Sequence, residues 1–260
     1  MLVLERRETL LSRLSVDGKL MAKDLAVEFG ISEDSIRRDL RDLAAAGLCQ
    51  RVYGGALPAS PALADYRSRM TVESESKKRV AALAASLIQP GSRVILDGGT
   101  TTLAVVNALA PTLAATVITH SPTIAAALVE HPRIDVFLIG GQLFKHSAVT
   151  CGSAAVEAAC SISADLFLLG VTGVHATEGL TTGDADEAAM KRVLASRAAE
   201  TYALASREKL GAASAYKVLP LERIAGLVFD SPPANPVIDE LASSAIKMLD
   251  ATPGEGDRRP

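Results

Sequence analysis

The chain has 260 residues, of which 48% are hydrophobic, 22% charged and 3% aromatic, and its formal net charge is -3. This length suits two modest domains, and the composition excludes a wholly disordered chain. The charge excludes a nucleic-acid binder with a generally basic surface, because residues 1–58 carry nine Lys/Arg and nine Asp/Glu. Any binding of DNA must therefore depend on where individual charges are placed, and it should be sensitive to salt.

The cysteines and the N-terminus narrow the class of protein further. Cys49, Cys151 and Cys160 are odd in number and form no C-x-x-C pair, so neither a disulfide framework nor a zinc site is indicated. The first residues lack the long apolar segment of a signal peptide, and no run of about 18 apolar residues predicts a membrane span. We expect a cytoplasmic protein that needs no metal ion and no cofactor.

The N-terminal region is predicted to form three short helices with a helix-turn-helix over residues 20–45. Apolar side chains recur at helical spacing on both sides of Gly30, which stands where a tight turn needs a positive φ. Small Ala26 before the turn and Ile36 after it complete the spacing that the motif demands. Ser32 is a favourable N-cap for the last helix.

The last helix carries polar and basic residues that fit a DNA surface. Arginine contacts guanine edges or phosphates, and the start of such a helix approaches the bases. The candidate DNA-binding residues on this helix are Ser32, Asp34, Ser35, Arg37, Arg38 and Arg41. In the alternative interpretation, the arginines form a solvated face and pair with Asp34, Asp39 and Asp42.

A hairpin is predicted after this helix, where the sequence LCQRVYGGALP places two short strands around Gly54 and Gly55. Such a wing would offer Arg51 and Tyr53 to a phosphate or the minor groove. The alternative role of these two side chains is packing within the hairpin.

The rest of the chain alternates between strand-like and helix-like segments, which predicts an α/β domain with a mainly parallel sheet. The predicted strands are Arg93–Leu96, Thr116–Thr119, Val136–Ile139, Leu166–Leu169, Tyr202–Ala205 and Gly226–Phe229. The predicted divisions are a winged helix-turn-helix domain at 1–58, a linker at 59–76, an α/β effector-binding domain at 77–232, and a C-terminal helix with a disordered tail at 233–260.

A Gly/Thr-rich turn after the first strand of this domain is the strongest candidate for ligand binding. Asp97, Gly98, Gly99, Thr100, Thr101 and Thr102 follow the strand and open a helix. Backbone amides at a helix N-terminus attract a phosphate or carboxylate, and the hydroxyls add donors. The segment is neither a P-loop nor a dinucleotide fingerprint. The alternative is an ordinary turn with threonine caps.

Other strand ends and one helix start are predicted to share the same pocket, because ligands of α/β sheets collect at the carboxyl ends of the strands. The strand-end candidates are Thr119, His120, Ser121, Gly140, Gly141 and Gly170. Asp184, Glu187 and Lys191 share a helix face, and Lys209 lies in a later turn. The alternatives are an exposed acidic helix start and a surface lysine.

Both halves of the chain resemble one family. The N-terminal half carries SIRRDL at 35–40, Gly47-Leu48, and Arg51 with Gly54-Gly55-Ala56. These motifs resemble the winged helix-turn-helix of DeoR-type bacterial repressors. The C-terminal half carries Asp97–Thr102, Thr119-His120, Gly140-Gly141, Asp165–Gly170 and the helix from Asp184 to Lys191. These segments are similar to the sensor domain of the same repressors, which is itself similar to ribose-phosphate isomerases. The resemblance covers roughly residues 2–230. It implies a repressor of a carbohydrate-metabolism operon that binds operator DNA and is released by a phosphorylated sugar or a similar small anion.

The chain departs from the family at four positions. Tyr53 stands in place of a usual His, Ser76 in place of Glu, His120 in place of Asn, and Ser206 in place of Asp. The changes at His120 and Ser206 are expected to alter the pocket.

Two further expectations concern assembly and chemistry. Reading a two-fold operator requires at least a homodimer, and a homotetramer is equally compatible with the sequence. The alternative function is a sugar-phosphate isomerase, with Glu187 or Asp184 as general base and Lys191 as electrophile.

Overall fold

The computed structural model describes residues 2–244 and 246–253. The helices are α1 (Val3–Asp17), α2 (Ala22–Phe29), α3 (Glu33–Ala45), α4 (Tyr66–Arg69), α5 (Ser74–Ala85), α6 (Thr100–Ala108), α7 (Pro122–Leu128), α8 (Ser153–Cys160), α9 (Ala185–Ser196) and α10 (Pro236–Ala242). The first strands are β1 (Leu20–Met21), β2 (Cys49–Val52), β3 (Gly55–Pro58), β4 (Arg93–Leu96), β5 (Ala115–Thr119), β6 (Ile134–Leu138), β7 (Gln142–Phe144) and β8 (Val149–Cys151). The remaining strands are β9 (Ala164–Gly170), β10 (Gly173–His175), β11 (Gly179–Thr182), β12 (Ala198–Ala205), β13 (Tyr216–Leu219), β14 (Gly226–Phe229) and β15 (Lys247–Asp250).

The N-terminal region forms the predicted winged helix-turn-helix. Helices α1, α2 and α3 pack on a small apolar core in which Ile36 is fully buried. Gly30 ends α2 with φ 63°, as the turn requires, and the Ser32 hydroxyl accepts a hydrogen bond from the Ser35 amide to cap α3. Strands β2 and β3 form the wing, and β3 also pairs with β1.

A seven-stranded, fully parallel sheet forms the second half of the protein, in the order β15-β14-β12-β9-β4-β5-β6. Alternate residues of one strand enter different cores. Val94 and Leu96 pack with α5, α6 and α7, whereas Ile95 packs on the other face with α8, α9 and α10. Because helices cover both faces, the strands read as continuous apolar runs, and for this reason six of them are predictable from the sequence.

Strand β15 was missed by the prediction of a C-terminal helix followed by a tail. Helix α10 does form, but the chain then returns as β15 to extend the sheet beside β14. Of the predicted disordered tail at 251–260, residues 254–260 lie outside the described residues. Within the part of the chain that the structure describes, no helix is both long and apolar enough to cross a membrane.

Residues 59–69, here called the roof segment, fall within the predicted linker and are folded onto the α/β domain. Ser60 is buried and its hydroxyl donates to the carbonyl oxygen of Thr172. Nε2 of His146 lies 3.0 Å from the Leu63 carbonyl oxygen, and the Tyr66 amide donates to the His146 carbonyl oxygen over 3.1 Å. The division of the chain at residues 58, 76 and 232 stays a prediction.

Candidate functional site

Two acidic residues of α3, Asp39 and Asp42, pair with arginines of α1. Asp39 is buried, and its carboxylate accepts hydrogen bonds from Nε of Arg6 over 2.6 Å and from Nε of Arg7 over 3.1 Å. Arg7 also pairs with Asp42. These contacts fix α3 against α1, so the two carboxylates do not neutralise the outer arginines of the helix.

The outer face of α3 therefore presents free positive charge. Arg38 and Arg41 are exposed, and neither has an ion pair among the described residues. Arg37 differs, because its guanidinium donates to Glu33 from the previous turn, with Nη2 2.7 Å from Oε1. In the alternative interpretation these arginines pair with Asp34, Asp39 and Asp42, and among the described residues none of these ion pairs forms.

The wing tip lies on the same side of the domain. Tyr53 is fully exposed, so it does not pack within the hairpin, and Arg51 is exposed beside it. The pKa of Arg37 is raised by its hydrogen bond to Glu33 and, more weakly, by the nearby Tyr53 phenol. Arg37 of α3 and Tyr53 of the wing therefore lie near each other.

A second candidate site lies at the carboxyl ends of β4 and β9. It is a small polar pocket beneath the roof segment, and we call it the polar pocket. Its lining residues are Ala62, Arg69, Lys77, Gly98, Gly99, Thr100, Thr101, Thr102, Gly170, Val171, Thr172, Thr182, Glu187, Lys191, Glu208 and Lys209. A Cβ atom added to Gly98 would lie 2.0 Å from Val149 Cγ1, so a larger residue at this position would displace Val149.

Asp97 lies buried directly beneath the polar pocket. Its Oδ1 accepts from the Gly98 amide over 2.8 Å, and its Oδ2 accepts from the Gly170 amide over 2.9 Å and from Lys191 Nζ. His120 Nε2 also lies 2.8 Å from Oδ1. Burial alone would raise the pKa of Asp97, but Lys191 and His120 outweigh it and lower this pKa to about 2. The carboxylate therefore ties the ends of three strands to α9.

Lys191 and Glu187 line the polar pocket and are joined to Asp97 by polar contacts. Beyond its contact with Asp97, Lys191 Nζ lies 2.9 Å from the Gly170 carbonyl oxygen and 3.2 Å from Glu187 Oε1. These three partners use every ammonium proton. Glu187 Oε2 accepts from the Thr182 hydroxyl over 2.9 Å, so neither side chain is free to act as a general base or electrophile.

Three other cations surround the mouth of the polar pocket. Lys209 is buried and donates to the Thr101 hydroxyl over 2.8 Å, and burial lowers its pKa to about 8. Lys77 donates to two carbonyl oxygens of the segment before α5, and Arg69 donates to His146. Burial lowers the pKa of both side chains. The site thus holds desolvated positive charge, which an anion would stabilise.

Several buried polar atoms of the polar pocket lack a hydrogen-bond partner within the described residues. They are Arg69 Nε, Thr102 Oγ1 and Glu208 Oε2. A buried unpaired polar atom costs about 1–3 kcal/mol. Two of the three can donate a hydrogen bond and lie beside the amides at the start of α6, so their natural partner is a ligand rich in acceptors.

The predicted ligand residues divide into three groups. Gly98 to Thr102, Gly170, Glu187, Lys191 and Lys209 line the polar pocket, so Lys209 is not a surface lysine. Asp97, Thr119, His120 and Ser121 are buried, and none of the four lines it. Gly140, Gly141 and Asp184 lie elsewhere: the glycines are exposed, and the Asp184 carboxylate accepts from the Glu187 amide as the N-cap of α9.

The lining residues that were not predicted from the sequence are Ala62, Arg69, Lys77, Val171, Thr172, Thr182 and Glu208. Ser76 and Ser206, two of the departures from the family, lie close by without lining the polar pocket. Ser76 Oγ accepts from the Arg207 amide over 3.1 Å, and Ser206 Oγ donates to Glu208 Oε1 over 2.8 Å. Lys77 could have been predicted, because it directly follows Ser76 in a segment that resembles the family.

The polar pocket is small. Its free space is about 20 Å³, which holds about one water molecule. Ala62 and Arg69 of the roof segment form one wall. A ligand larger than water can therefore enter only if lining side chains or the roof segment move.

Comparison with known proteins matches both halves of the chain. Residues 6–61 match the DeoR-like helix-turn-helix domain, and residues 72–231 match the DeoR C terminal sensor domain. The HTH-type transcriptional repressor GlcR of Bacillus subtilis (strain 168) is 32% identical over 254 residues, covering 97% of this chain and 98% of that protein. The glycerol-3-phosphate regulon repressor of Escherichia coli (strain K12) is 26% identical over 94% of this chain and 97% of that protein. Ribose 5-phosphate isomerase A from Methanocaldococcus jannaschii aligns with a TM-score of 0.40 and 17% identity over 53% of this chain and 54% of that one.

Proposed function

Since this chain belongs to the DeoR family of transcriptional repressors, we propose that it represses a carbohydrate-metabolism operon and leaves its operator DNA when a phosphorylated sugar or related anion binds the polar pocket. Arg38 and Arg41, with Arg37 and the wing residues, hold the DNA. The protein acts in the cytoplasm as a homodimer or homotetramer, because a two-fold operator needs two recognition helices.

The observation that carries the effector proposal is the set of buried donors at the start of α6. Arg69, Lys77 and Lys209 are desolvated cations, and the amides of Gly98 to Thr102 stand at a helix N-terminus in the same wall. A phosphate group supplies negative charge and several acceptor oxygens to these donors. The named function of one relative, the glycerol-3-phosphate regulon repressor, is consistent with this chemistry.

The roof segment offers the path from effector to DNA. It continues directly from β3 of the wing, and its Ala62 and Arg69 wall the polar pocket. Because the polar pocket holds about one water molecule, effector entry displaces the roof segment and with it the wing. Two helix-turn-helix domains of an oligomer then lose the spacing that the operator requires.

The isomerase alternative has little support from the geometry. Glu187 accepts hydrogen bonds from Thr182 and Ser147 and contacts Lys191, so the proposed base and electrophile already satisfy each other. Asp184 caps α9 instead of facing the polar pocket. The relatives above are repressors by name. We therefore assign a regulatory function.

A thermal-shift screen tests the effector proposal. We expect at least one sugar phosphate to raise the melting temperature of the full chain, and its unphosphorylated sugar to have no effect. Lys209→Met removes one charge from the polar pocket and should abolish the shift. Lys217→Met is the matched control, because Lys217 is exposed and does not line the polar pocket. A shift that survives Lys209→Met would contradict the site.

The same compound must act on DNA. If the effector lowers the affinity for DNA by some factor, linkage requires that DNA lower the affinity for the effector by the same factor. We expect a gel shift with duplexes selected from a random pool to be reversed by the compound. If DNA leaves the affinity of the protein for the compound unchanged, the effector role is wrong even where the compound binds.

A further inference from the structure

The imidazole of His120 is buried between two hydrogen-bond acceptors. Nδ1 lies 2.9 Å from the Thr150 carbonyl oxygen, and Nε2 lies 2.8 Å from Oδ1 of Asp97. A carbonyl oxygen can only accept, so Nδ1 carries a proton. The state of Nε2 then depends on whether Asp97 is ionised.

The contacts of Asp97 keep it ionised. Its two oxygens accept from the amides of Gly98 and Gly170 and from the ammonium group of Lys191. A carboxyl group that receives two amides and an ammonium is held in its charged form. It then has no proton to offer to His120, so Nε2 must be the donor in this contact as well.

We infer that His120 is held as an imidazolium, and that its charge matches the polar pocket to a dianionic phosphate monoester in preference to a monoanion. The inference deepens the proposed function and rests on it. His120 does not touch the ligand space; it is a positioning residue that acts through Asp97 and through its charge.

The charges of the polar pocket show why one proton matters. The cations that line it are Arg69, Lys77, Lys191 and Lys209, and the carboxylates that line or underlie it are Asp97, Glu187 and Glu208. Four cations against three carboxylates leave a net charge of +1, and the imidazolium raises it to +2. A phosphate monoester carries close to two negative charges at neutral pH, so binding leaves no unbalanced charge in a buried site. The asparagine usual in the family would leave the site one charge short.

The first test measures the proton itself, without any ligand. The full chain is labelled with ¹⁵N-histidine, and the signals of its four histidines are compared with those of His120→Asn to assign His120. Near pH ~7, where an exposed histidine is mostly neutral, we expect both ring nitrogens of His120 to carry protons. A neutral tautomer, with one unprotonated nitrogen, would overturn the inference whatever the protein binds.

The second test uses two probes of nearly equal shape, methyl phosphate as the dianion and methyl sulfate as the monoanion. Coulomb energy scales with ligand charge, so His120→Asn should weaken the binding of methyl phosphate roughly tenfold and the binding of methyl sulfate only about threefold. Equal losses for both probes would overturn the charge matching. Lys217→Met again serves as the control. If neither probe binds the unmodified protein, the polar pocket is not an anion site and the matching fails with it, whereas the NMR result on His120 stands.

Discussion

The Nε atom of Arg6 lies 2.6 Å from Oδ2 of Asp39, and this contact ties the first helix to the recognition helix α3. Asp39 is 2% exposed, so its charge is balanced inside the domain and not at the DNA surface. Arg38 and Arg41 on the opposite face remain free for phosphates or bases. A neutral domain can thereby present a locally positive surface.

Replacing Asp39 by Asn should loosen the N-terminal domain. The variant keeps the shape of the side chain but leaves Arg6 and Arg7 without their shared anion. We expect a loss of about 1–3 kcal/mol, below the value for a fully buried pair because the arginines are partly exposed. Denaturant unfolding of the full chain measures it. Asp42→Asn is the control, since its carboxylate is 46% exposed, and equal effects of the two variants would contradict the burial argument.

The exposed arginines of α3 should carry most of the DNA affinity. Arg38→Ala and Arg41→Ala should each weaken binding roughly tenfold or more, and a lost phosphate contact should reduce the salt slope by about one. Arg37→Ala should have a smaller effect, because Glu33 already neutralises that guanidinium. Gel shifts at several salt concentrations distinguish the three. Arg133→Ala, an exposed arginine on the other domain, should change nothing, and a loss there would point to another DNA surface.

Anion binding should weaken as pH rises through the range in which Lys209 loses its proton. Its pKa is lowered to about 8 by burial, so its positive charge is present below that pH and lost above it. Inorganic phosphate is already largely a dianion above pH ~7, and its affinity should fall roughly tenfold between pH ~7 and ~9. Calorimetric titration measures this fall.

The same lysine should affect stability in the opposite direction. The unfolded chain holds the Lys209 proton up to its ordinary pKa of 10.5. Between pH ~8 and ~10.5 the unfolded state therefore binds more protons, and the Lys209 contribution to stability rises with pH. Lys209→Met should remove both trends. If affinity keeps its pH dependence in this variant, another group is responsible.

Loosening the roof segment should favour the effector. Ser60→Ala removes the hydrogen bond to the Thr172 carbonyl oxygen and the acceptor for the Ala62 amide. One such bond contributes about 1 kcal/mol, so effector affinity should rise roughly fivefold, because the open state costs less to reach. Ser86→Ala, at an exposed serine outside the polar pocket, is the matched control. Weaker effector binding in Ser60→Ala would show that the roof segment closes over the ligand instead of excluding it.

The sequence predicts the parts of this protein that depend on neighbouring residues along the chain. The helix-turn-helix follows from Ala26, Gly30 and Ile36 within one short stretch, and the loop at Asp97–Thr102 follows from a strand that turns into a helix. Arg69 and Glu208 come from distant segments, and only the folded roof segment and a later turn bring them to the polar pocket. Their role therefore depends on long-range packing that periodicity does not report.

Other errors have specific physical causes. Gly140 and Gly141 follow β6, an edge strand whose end lies away from the polar pocket. Asp184 has the spacing of a pocket residue, but its carboxylate satisfies the first amides of α9. Strand β15 has only two apolar residues, between Lys247 and Asp250, so it lacks the continuous apolar run that reveals the other strands of the sheet.

The continuity of β3 with the roof segment limits how this protein can exchange domains with its relatives. Residues 59–69 are joined to the wing by the chain, yet their contacts, through Ser60 and Leu63, are with the other domain. A hybrid that takes its DNA-binding half from one relative and its sensor from another should keep regulation only if the junction falls before the roof segment, at Pro58. Placed after residue 69, the junction would pair a sensor with a foreign roof segment, and the hybrid should bind DNA without responding to its effector.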